Sequence, residues 1–321
     1  MSINQPLVSV IIPTYNRATY ILDSINSVLN QTYKNVQIIV VDDGSTDLTY
    51  ELVKTKPVVE YYYQENAGQG AARTKGLSYC KGNLIASLDS DDIWYPDFLQ
   101  LCVDRITGYQ LDFVFANWDQ QNLQGDFNSF LPNNKTLLPY TSRSVDFWIE
   151  FSSTELRHIY VQGCPSPSSS FIVKKEFLKL GWNCEMNIAD DWFMQLDIVL
   201  KNKCKAACLI TPVWRKRISG TNICDHRDSS EVIEKLYVED LHTILNAFNA
   251  YLTKPERAIL SKKFIEASVF SSFFKFRKER DFKRGFRQYM SSLQIDFLYT
   301  TKFTLKYVMY RFKRKYNLSK L

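Results

Sequence analysis

Three carboxylates in four residues, Asp89-Ser90-Asp91-Asp92, follow the short apolar run Leu84-Ile85-Ala86-Ser87-Leu88. Such a run reads as a buried strand. Carboxylates gathered at the end of a buried strand repel one another and cost free energy unless positive charge faces them. A divalent cation answers that need. Hard oxygen donors on a short loop suit Mg²⁺ or Mn²⁺, ions that commonly bridge protein carboxylates to phosphates. The bland alternative is a solvated acidic turn that caps a helix starting near Pro96. Two further acid pairs stand out, Asp42-Asp43 after an apolar run and Asp190-Asp191 ahead of Trp192.

The elements that would position these acids can be read from periodicity. Val8-Ser9-Val10-Ile11-Ile12-Pro13 is β-branched and ends at a proline, which predicts a strand. Thr14-Tyr15-Asn16-Arg17 follows as a loop, and Tyr20, Ile21, Ile25, Val28 and Leu29 recur at helical spacing. Val36–Val41 predicts a second buried strand, closed by Asp42-Asp43-Gly44-Ser45-Thr46-Asp47, where Gly44 permits a turn. Val58–Tyr63 predicts a third strand. A glycine-bearing loop, Asn66 to Arg73 with Gly68 and Gly70, then opens a helix. Phe113–Ala116 predicts another strand beyond Leu84–Leu88.

Strands alternating with helices at this spacing imply a mostly parallel sheet with right-handed crossovers. Ligands of such sheets bind outside the carboxyl ends of the strands. Thr14, Asp43, Arg73 and Asp89–Asp92 are therefore expected on one rim. No G-x-G-x-x-G follows the first strand, which speaks against a dinucleotide site.

Composition narrows the classes. No run of 18 apolar residues is present, so no transmembrane helix is expected. The chain enters a strand-like run without a basic segment and apolar h-region, so no signal peptide is expected. Seven cysteines at irregular spacing suggest neither a disulfide framework nor a zinc site, which fits a reducing cytoplasm, with Cys204 and Cys208 as packing residues. Charge is divided unevenly. Residues 254–321 carry 18 Lys and Arg against 5 acids, whereas residues 1–253 carry 22 against 29. A basic tail on an acidic body implies an anionic partner for the tail.

Four blocks in order resemble one family. They are Val8–Arg17, then Ser27-Val28-Leu29-Asn30-Gln31-Thr32-Tyr33, then Val41–Asp47, then Leu88–Asp92. Together they are similar to family 2 glycosyltransferases of the GT-A fold. The resemblance implies an α/β, Rossmann-like, mostly parallel sheet flanked by helices, and an inverting transfer of a sugar from a nucleotide-sugar, usually UDP-linked, with Mn²⁺ or Mg²⁺. It implies a nucleotide-sugar-binding half over 1–118 and an acceptor half over 119–225. Residues 226–321 stand outside it as a helical appendage.

Residue roles follow from the same resemblance. Pro13, Thr14, Tyr15 and Arg17 lie in the loop that meets the nucleotide, where a tyrosine ring can pack on a base. Asp43 corresponds to the residue that accepts from the uracil imide, with Asp42 supporting the loop. Gly70 and Arg73 lie where the family approaches base or diphosphate, and Thr74 replaces an asparagine common in the family. Asp91 is expected to bind metal directly. Asp89, with Ser90 beside it, is expected to reach the ribose or the metal through water, with Asp92 close by. Asn187-Ile188-Ala189-Asp190-Asp191-Trp192 is similar to the family's Glu-Asp-Trp segment. The acceptor hydroxyl needs a base there, and Asp190 is preferred to Asp191; the alternative is that both acids cap the helix. Arg217 stands where the family often has histidine and, being always charged, keeps only a phosphate contact. His158, His226 and His242 are isolated and read as structural.

Lys174–Leu180 predicts a helix closed by Gly181, and everything from Glu231 onward is helical in pattern. In this tail Phe270, Phe273, Phe274, Phe276, Phe282 and Phe286 interleave with Lys and Arg. That mixture suits a helix lying on an anionic membrane, or a packed appendage with a basic outer face. No nucleic-acid module is recognisable. The expectation is a cytoplasmic enzyme, peripheral on the inner face of the membrane, acting on a glycan or lipid-linked acceptor in surface polysaccharide synthesis. The alternatives are a nucleotidyltransferase, or a relative that binds a nucleotide-sugar without turning it over.

Overall fold

A computed structural model describes residues 5–121, 125–217 and 229–315. His226 and the stretch 218–222 lie outside the described residues. The chain divides into two compact units, Met1–Met186 with Asp190–Asp225, and Asn187–Ala189 with His226–Leu321.

The first unit holds twelve strands among its described residues. They are β1 Val8–Thr14, β2 Val36–Asp42, β3 Val59–Tyr63, β4 Leu84–Ser87, β5 Ile93–Trp94, β6 Phe113–Ala116, β7 Asp119–Gln121, β8 Phe127–Ser129, β9 Trp148–Phe151, β10 Phe171–Lys174, β11 Ala206–Leu209 and β12 Trp214–Lys216. Its helices are α1 Ile21–Leu29, α2 Thr49–Lys54, α3 Gln69–Tyr79, α4 Phe98–Tyr109, α5 Ser153–Gln162 and α6 Asp190–Lys201.

The main sheet runs β3-β2-β1-β4-β10-β6-β11-β9. β1 pairs in parallel with β2 and β4, and β2 with β3. β10 is antiparallel to both β4 and β6, so those two strands point the same way. All seven residues of β1 are buried, as a central strand covered on both faces requires. Ile21, Ile25 and Val28 of α1 and Phe98, Cys102 and Ile106 of α4 pack against Val10, Ile12, Ala86 and Val114 of the sheet. Pro13 lies past the last β4 pair, Ile11–Ser87, so its missing N–H breaks no bond to β4.

A second sheet runs β5-β12-β7-β8. β5 begins immediately after Asp92. β12 pairs with it antiparallel, Trp214 with Trp94 and Arg215 with Ile93, which brings Lys216 level with Asp92. The buried indoles of Trp94, Trp118 and Trp214 anchor this sheet to the core.

One expected element differs. Lys174–Leu180 is not a helix but a single 3₁₀ turn, Lys175–Phe177. Backbone groups on either side are taken by other elements: Lys175 N donates to Asn83 O at 2.8 Å, and Trp182 N donates to Thr74 Oγ1 at 3.0 Å. Thr74, in the place of the family's asparagine, thus ties α3 to this loop. Cys204 and Cys208 are free and buried.

The second unit contains α7 Ser229–Glu234, α8 Leu241–Ala247, α9 Lys254–Phe274, α10 Phe282–Ile295 and α11 Phe297–Lys315. Thr253 and Glu256 form a capping box at the start of α9, which buries Leu260, Phe264, Ile265 and Val269. α10 and α11 turn apolar side chains outward: Phe282, Phe286 and Met290 on α10, and Leu298, Leu305, Met309 and Phe312 on α11 are exposed. The α11 set recurs at helical spacing, so it forms one stripe. Among the described residues no helix is long and apolar enough to cross a membrane.

Candidate active site

The rim at the carboxyl ends of β1, β2 and β4 gathers the expected side chains, and α3 and α6 close it. Its centre is Arg73. Buried on α3, this guanidinium ion-pairs with Asp190 through Nη1, with Asp89 at 2.6 Å through Nη2, and with Asp191 at 3.8 Å. One arginine therefore joins the Asp-x-Asp loop to the acid pair that opens α6. Burial works against the Arg73 charge, but the three carboxylates more than offset it and hold the group above its usual range. Gly70 allows the close approach. A Cβ at this position would stand 2.8 Å from the carbonyl oxygen of Asn183 and 3.5 Å from Cβ of Asp190.

The two candidate bases differ in access. Asp190 keeps only 2% of its side chain exposed; Gln69 Nε2 donates to its Oδ1 at 2.7 Å and Arg73 to its Oδ2. Burial raises its pKa to about 7 against the pull of Arg73, with Asp191 and Asp89 adding to the rise. Asp191 keeps 17% exposed. Ser168 N donates to it at 2.9 Å and Trp182 Nε1 at 3.1 Å, and the Ser168 hydroxyl also donates. These bonds fix the Asp191 carboxylate in place while leaving it a face to solvent.

In the Asp-x-Asp loop, Asp89 faces Arg73, and Arg17 Nε lies 3.6 Å from Asp91. Asp92 is buried, accepting from Ser169 Oγ at 2.6 Å and Arg217 N at 3.3 Å. Burial, then the charges of Asp89 and Asp91, push its carboxyl well above the usual range. Ser90 is buried beside them.

Asp42 and Asp43 have separate structural tasks. Asp42 accepts from Ser45 N at 2.7 Å and Tyr61 OH at 2.8 Å, the loop support expected of it. Asp43 accepts from Gln64 Nε2 at 2.7 Å, Ala67 N at 2.8 Å and Gly68 N at 2.8 Å. A carboxylate offers about four acceptor sites, so these three bonds leave one. Gly44, at φ +88°, packs against Asn66, where a side chain would be both strained and crowded. Among the described residues the Thr14 hydroxyl is buried without a partner, and Tyr15 is 46% exposed. Arg217 pairs with Asp23 at 2.8 Å, at the edge of the acid cluster.

Sequence reasoning passed over Lys216. Burial opposes its charge, but Asp92, Asp89, Asp191 and Asp91 outweigh this and raise its pKa. The overlooked signal was strand alternation in Trp214-Arg215-Lys216-Arg217: with Trp214 in the core, Lys216 shares its side of the strand. Gln69, Ser168, Ser169 and Trp182 were also missed, since nothing local in the sequence marks them.

The donor set fits a divalent ion shared with a substrate. Asp89 and Asp91 supply only hard oxygen atoms. Among the described residues no three His, Cys, Asp or Glu side chains converge as a metal cage. One or two carboxylates completed by phosphate oxygens is how Mg²⁺ is commonly held.

The sequence profile of glycosyl transferase family 2 matches residues 9–171, half of the chain. The chain belongs to family 2 of the glycosyltransferases. It is 39% identical over 115 residues to glycosyltransferase GlyA of Streptococcus pneumoniae, covering 35% of this chain and 16% of GlyA. Eight curated relatives are matched over 15% to 56% of their own lengths, so the chain spans well under two thirds of each. Among solved structures, Staphylococcus aureus TarS 1–349 in complex with UDP-GlcNAc superposes with a TM-score of 0.57 at 19% identity, over 90% of this chain and 91% of that one. Mannosyltransferase PcManGT of Pyrobaculum calidifontis, in complex with GDP-Man and Mn²⁺, gives 0.55 at 16% identity, over 98% and 83%. This family 2 glycosyltransferase therefore has the GT-A fold expected of it, and family membership displaces the nucleotidyltransferase alternative.

Proposed function

We propose that the chain is an inverting glycosyltransferase that moves a sugar from a UDP-sugar to a hydroxyl of a glycan or lipid-linked acceptor in surface polysaccharide synthesis. The observation that carries this reading is Arg73, which ties Asp89 of the Asp-x-Asp loop to Asp190 and Asp191 of α6. A diphosphate site and an acceptor base thus lie within the reach of one guanidinium. The reaction forms a bond from the acceptor oxygen to the anomeric carbon and breaks the bond from that carbon to the diphosphate. The acceptor proton passes to a carboxylate. Asp191 is the better base on access, reversing the order preferred from sequence, and Asp190 then acts by holding Arg73.

On the donor side, the remaining acceptor site of Asp43 suits an imide N–H, and the exposed Tyr15 ring suits a base face. UDP-GlcNAc in TarS is in keeping with a uridine donor. Asp91, with Asp89, would hold Mn²⁺ or Mg²⁺, and PcManGT, solved in complex with GDP-Man and Mn²⁺, shares the fold. When bound, the cation would offset diphosphate charge. Arg17, Lys216 and Arg217 add positive charge from the protein itself.

Calorimetry with UDP, GDP and CDP, with and without Mn²⁺, tests the donor reading. UDP is expected to bind tightest, and Mn²⁺ to strengthen it. Asp91→Ala is expected to abolish the Mn²⁺ effect. An unchanged Mn²⁺ effect in that variant would remove Asp91 from the metal site, and equal affinity for all three nucleotides would remove the uracil assignment.

Peripheral attachment to the inner face of a membrane belongs to the same proposal. Its support is the excess of basic residues after 254 together with the exposed apolar stripes of α10 and α11. Each basic residue near an anionic surface contributes about 1 kcal/mol. The full chain is expected to sediment with vesicles containing phosphatidylglycerol and much less with phosphatidylcholine alone. Replacing Lys283, Arg287, Lys302 and Lys306 by Gln is expected to abolish the difference. Equal sedimentation of variant and wild type would assign the tail to packing or self-association.

A further inference from the structure

Two consecutive residues hold backbone conformations that L side chains rarely adopt, Asp146 at φ +50° and Phe147 at φ +67°. They are the centre of a two-residue hairpin in which Val145 and Trp148 exchange both backbone bonds, each 2.9 Å. Positive φ at both central positions is the type I′ arrangement, which favours Asn-Gly. Aspartate tolerates it through its short polar side chain, but a bulky residue there is a genuine outlier. Such strain persists only where surrounding structure enforces it, and it gathers at functional sites. The enforcing contacts are present. Ile210 N donates to Phe147 O at 2.9 Å, and Trp148 is buried under the guanidinium of Arg105. What the strained turn displays is apolar, since Phe147 is 66% exposed and Val145 65%.

The turn also has a telling place. Trp148 pairs with Leu209, the last residue of β11, and β11 runs parallel to β6. The turn therefore stands on the rim that carries Asp43 and Asp89. β9 is four strands from β4, or about 19 Å at the usual strand spacing. That is too far to touch the donor but within reach of a chain of sugars whose end enters the site.

We propose that the Asp146–Phe147 turn is a remote acceptor subsite, in which the Phe147 ring stacks on a pyranose ring several units from the reacting end. The C–H face of a pyranose packs on an aromatic ring, and the exposed Asp146 carboxylate accepts from its hydroxyls. The inference deepens the glycan-acceptor reading and rests on it.

The test uses the full chain and tetrasaccharides of glucose, galactose, mannose and N-acetylglucosamine, each beside its monosaccharide, with binding read by saturation-transfer NMR. At least one tetrasaccharide is expected to bind, with affinity falling tenfold or more in both Phe147→Ala and Phe147→Gly, while the monosaccharides do not distinguish the proteins. Phe147→Gly is expected to melt above Phe147→Ala, because glycine alone relieves the positive φ. Failure of every tetrasaccharide to bind, or undiminished binding in both variants, overturns the subsite. Melting of the glycine variant at or below the alanine variant overturns the strain. UDP calorimetry on the same proteins is expected to be unchanged by either substitution. It reports the donor reading separately, which fails if wild type binds no nucleotide, whatever the tetrasaccharides do.

Discussion

With Asp191 as the proposed base, Asp191→Asn is expected to lower sugar transfer by about two to four orders of magnitude, the usual contribution of a general base, and to leave UDP affinity essentially unchanged. The amide is nearly isosteric but cannot take the acceptor proton. Asp191 is the more accessible of the two acids, with 17% of its side chain exposed against 2% for Asp190. Ser168 and Trp182 also hold its carboxylate in one orientation. Asp190→Asn is expected to act differently, lowering stability together with activity, since it leaves the buried Arg73 charge short of its main partner. Turnover assays beside UDP calorimetry separate the two. Wild-type turnover in Asp191→Asn, with a selective loss in a stably folded Asp190→Asn protein, would return the base to Asp190.

Arg73→Met is expected to be the most destabilising single change in the first unit. The guanidinium is 1% exposed and serves three carboxylates. Removing it strands Asp190 in particular, with Gln69 alone among the described residues left to donate to its side chain. Breaking a buried ion pair by deleting one partner costs about 3–5 kcal/mol. Arg73→Lys rescues little, because lysine gathers its three donors on one nitrogen and lacks the planar fork that sets Nη1 on Asp190 and Nη2 on Asp89. Urea unfolding provides the measurement. A loss below about 1 kcal/mol would mean that the carboxylates neutralise by taking up protons and that the arginine is dispensable.

Much of this site was legible because its signals are local. An apolar run ending in acids marks a strand and its rim, and β1, β2 and β4 lie where periodicity places them. The Asp-x-Asp loop and the acids opening α6 are short contiguous patterns. What escaped depends on partners distant in the chain. Arg73 and Asp190 are 117 residues apart, and no property of either residue alone announces the pair. Lys216 escaped because one lysine between two arginines carries no local signal, whereas the β5–β12 register sets it level with Asp92. The Lys175–Phe177 turn escaped because helical spacing over a few residues says nothing about Asn83 and Thr74 taking the nearby backbone groups. The Asp146-Phe147 hairpin escaped because Asp146, which suits a turn, is followed by Phe147 where a glycine is usual.

The strand order has a consequence for how this polypeptide reaches its native state. β4 and β6 are adjacent in sequence order within the main sheet, yet β10, made more than fifty residues after β6, lies between them and runs the other way. Among the described residues the partners of β6 in that sheet are β10 and β11, so it stays without a ladder until the second half of the unit has been synthesised. The sheet therefore closes late, through long-range pairings, which favours slow folding and a nascent chain with unpaired strand edges. Residues 1–118 and 119–225 are interleaved in the sheet by that one strand. A cut between them would leave a broken sheet in place of a smaller enzyme, and exchanging one half for that of a relative would succeed only if β10 travelled with the strands it joins.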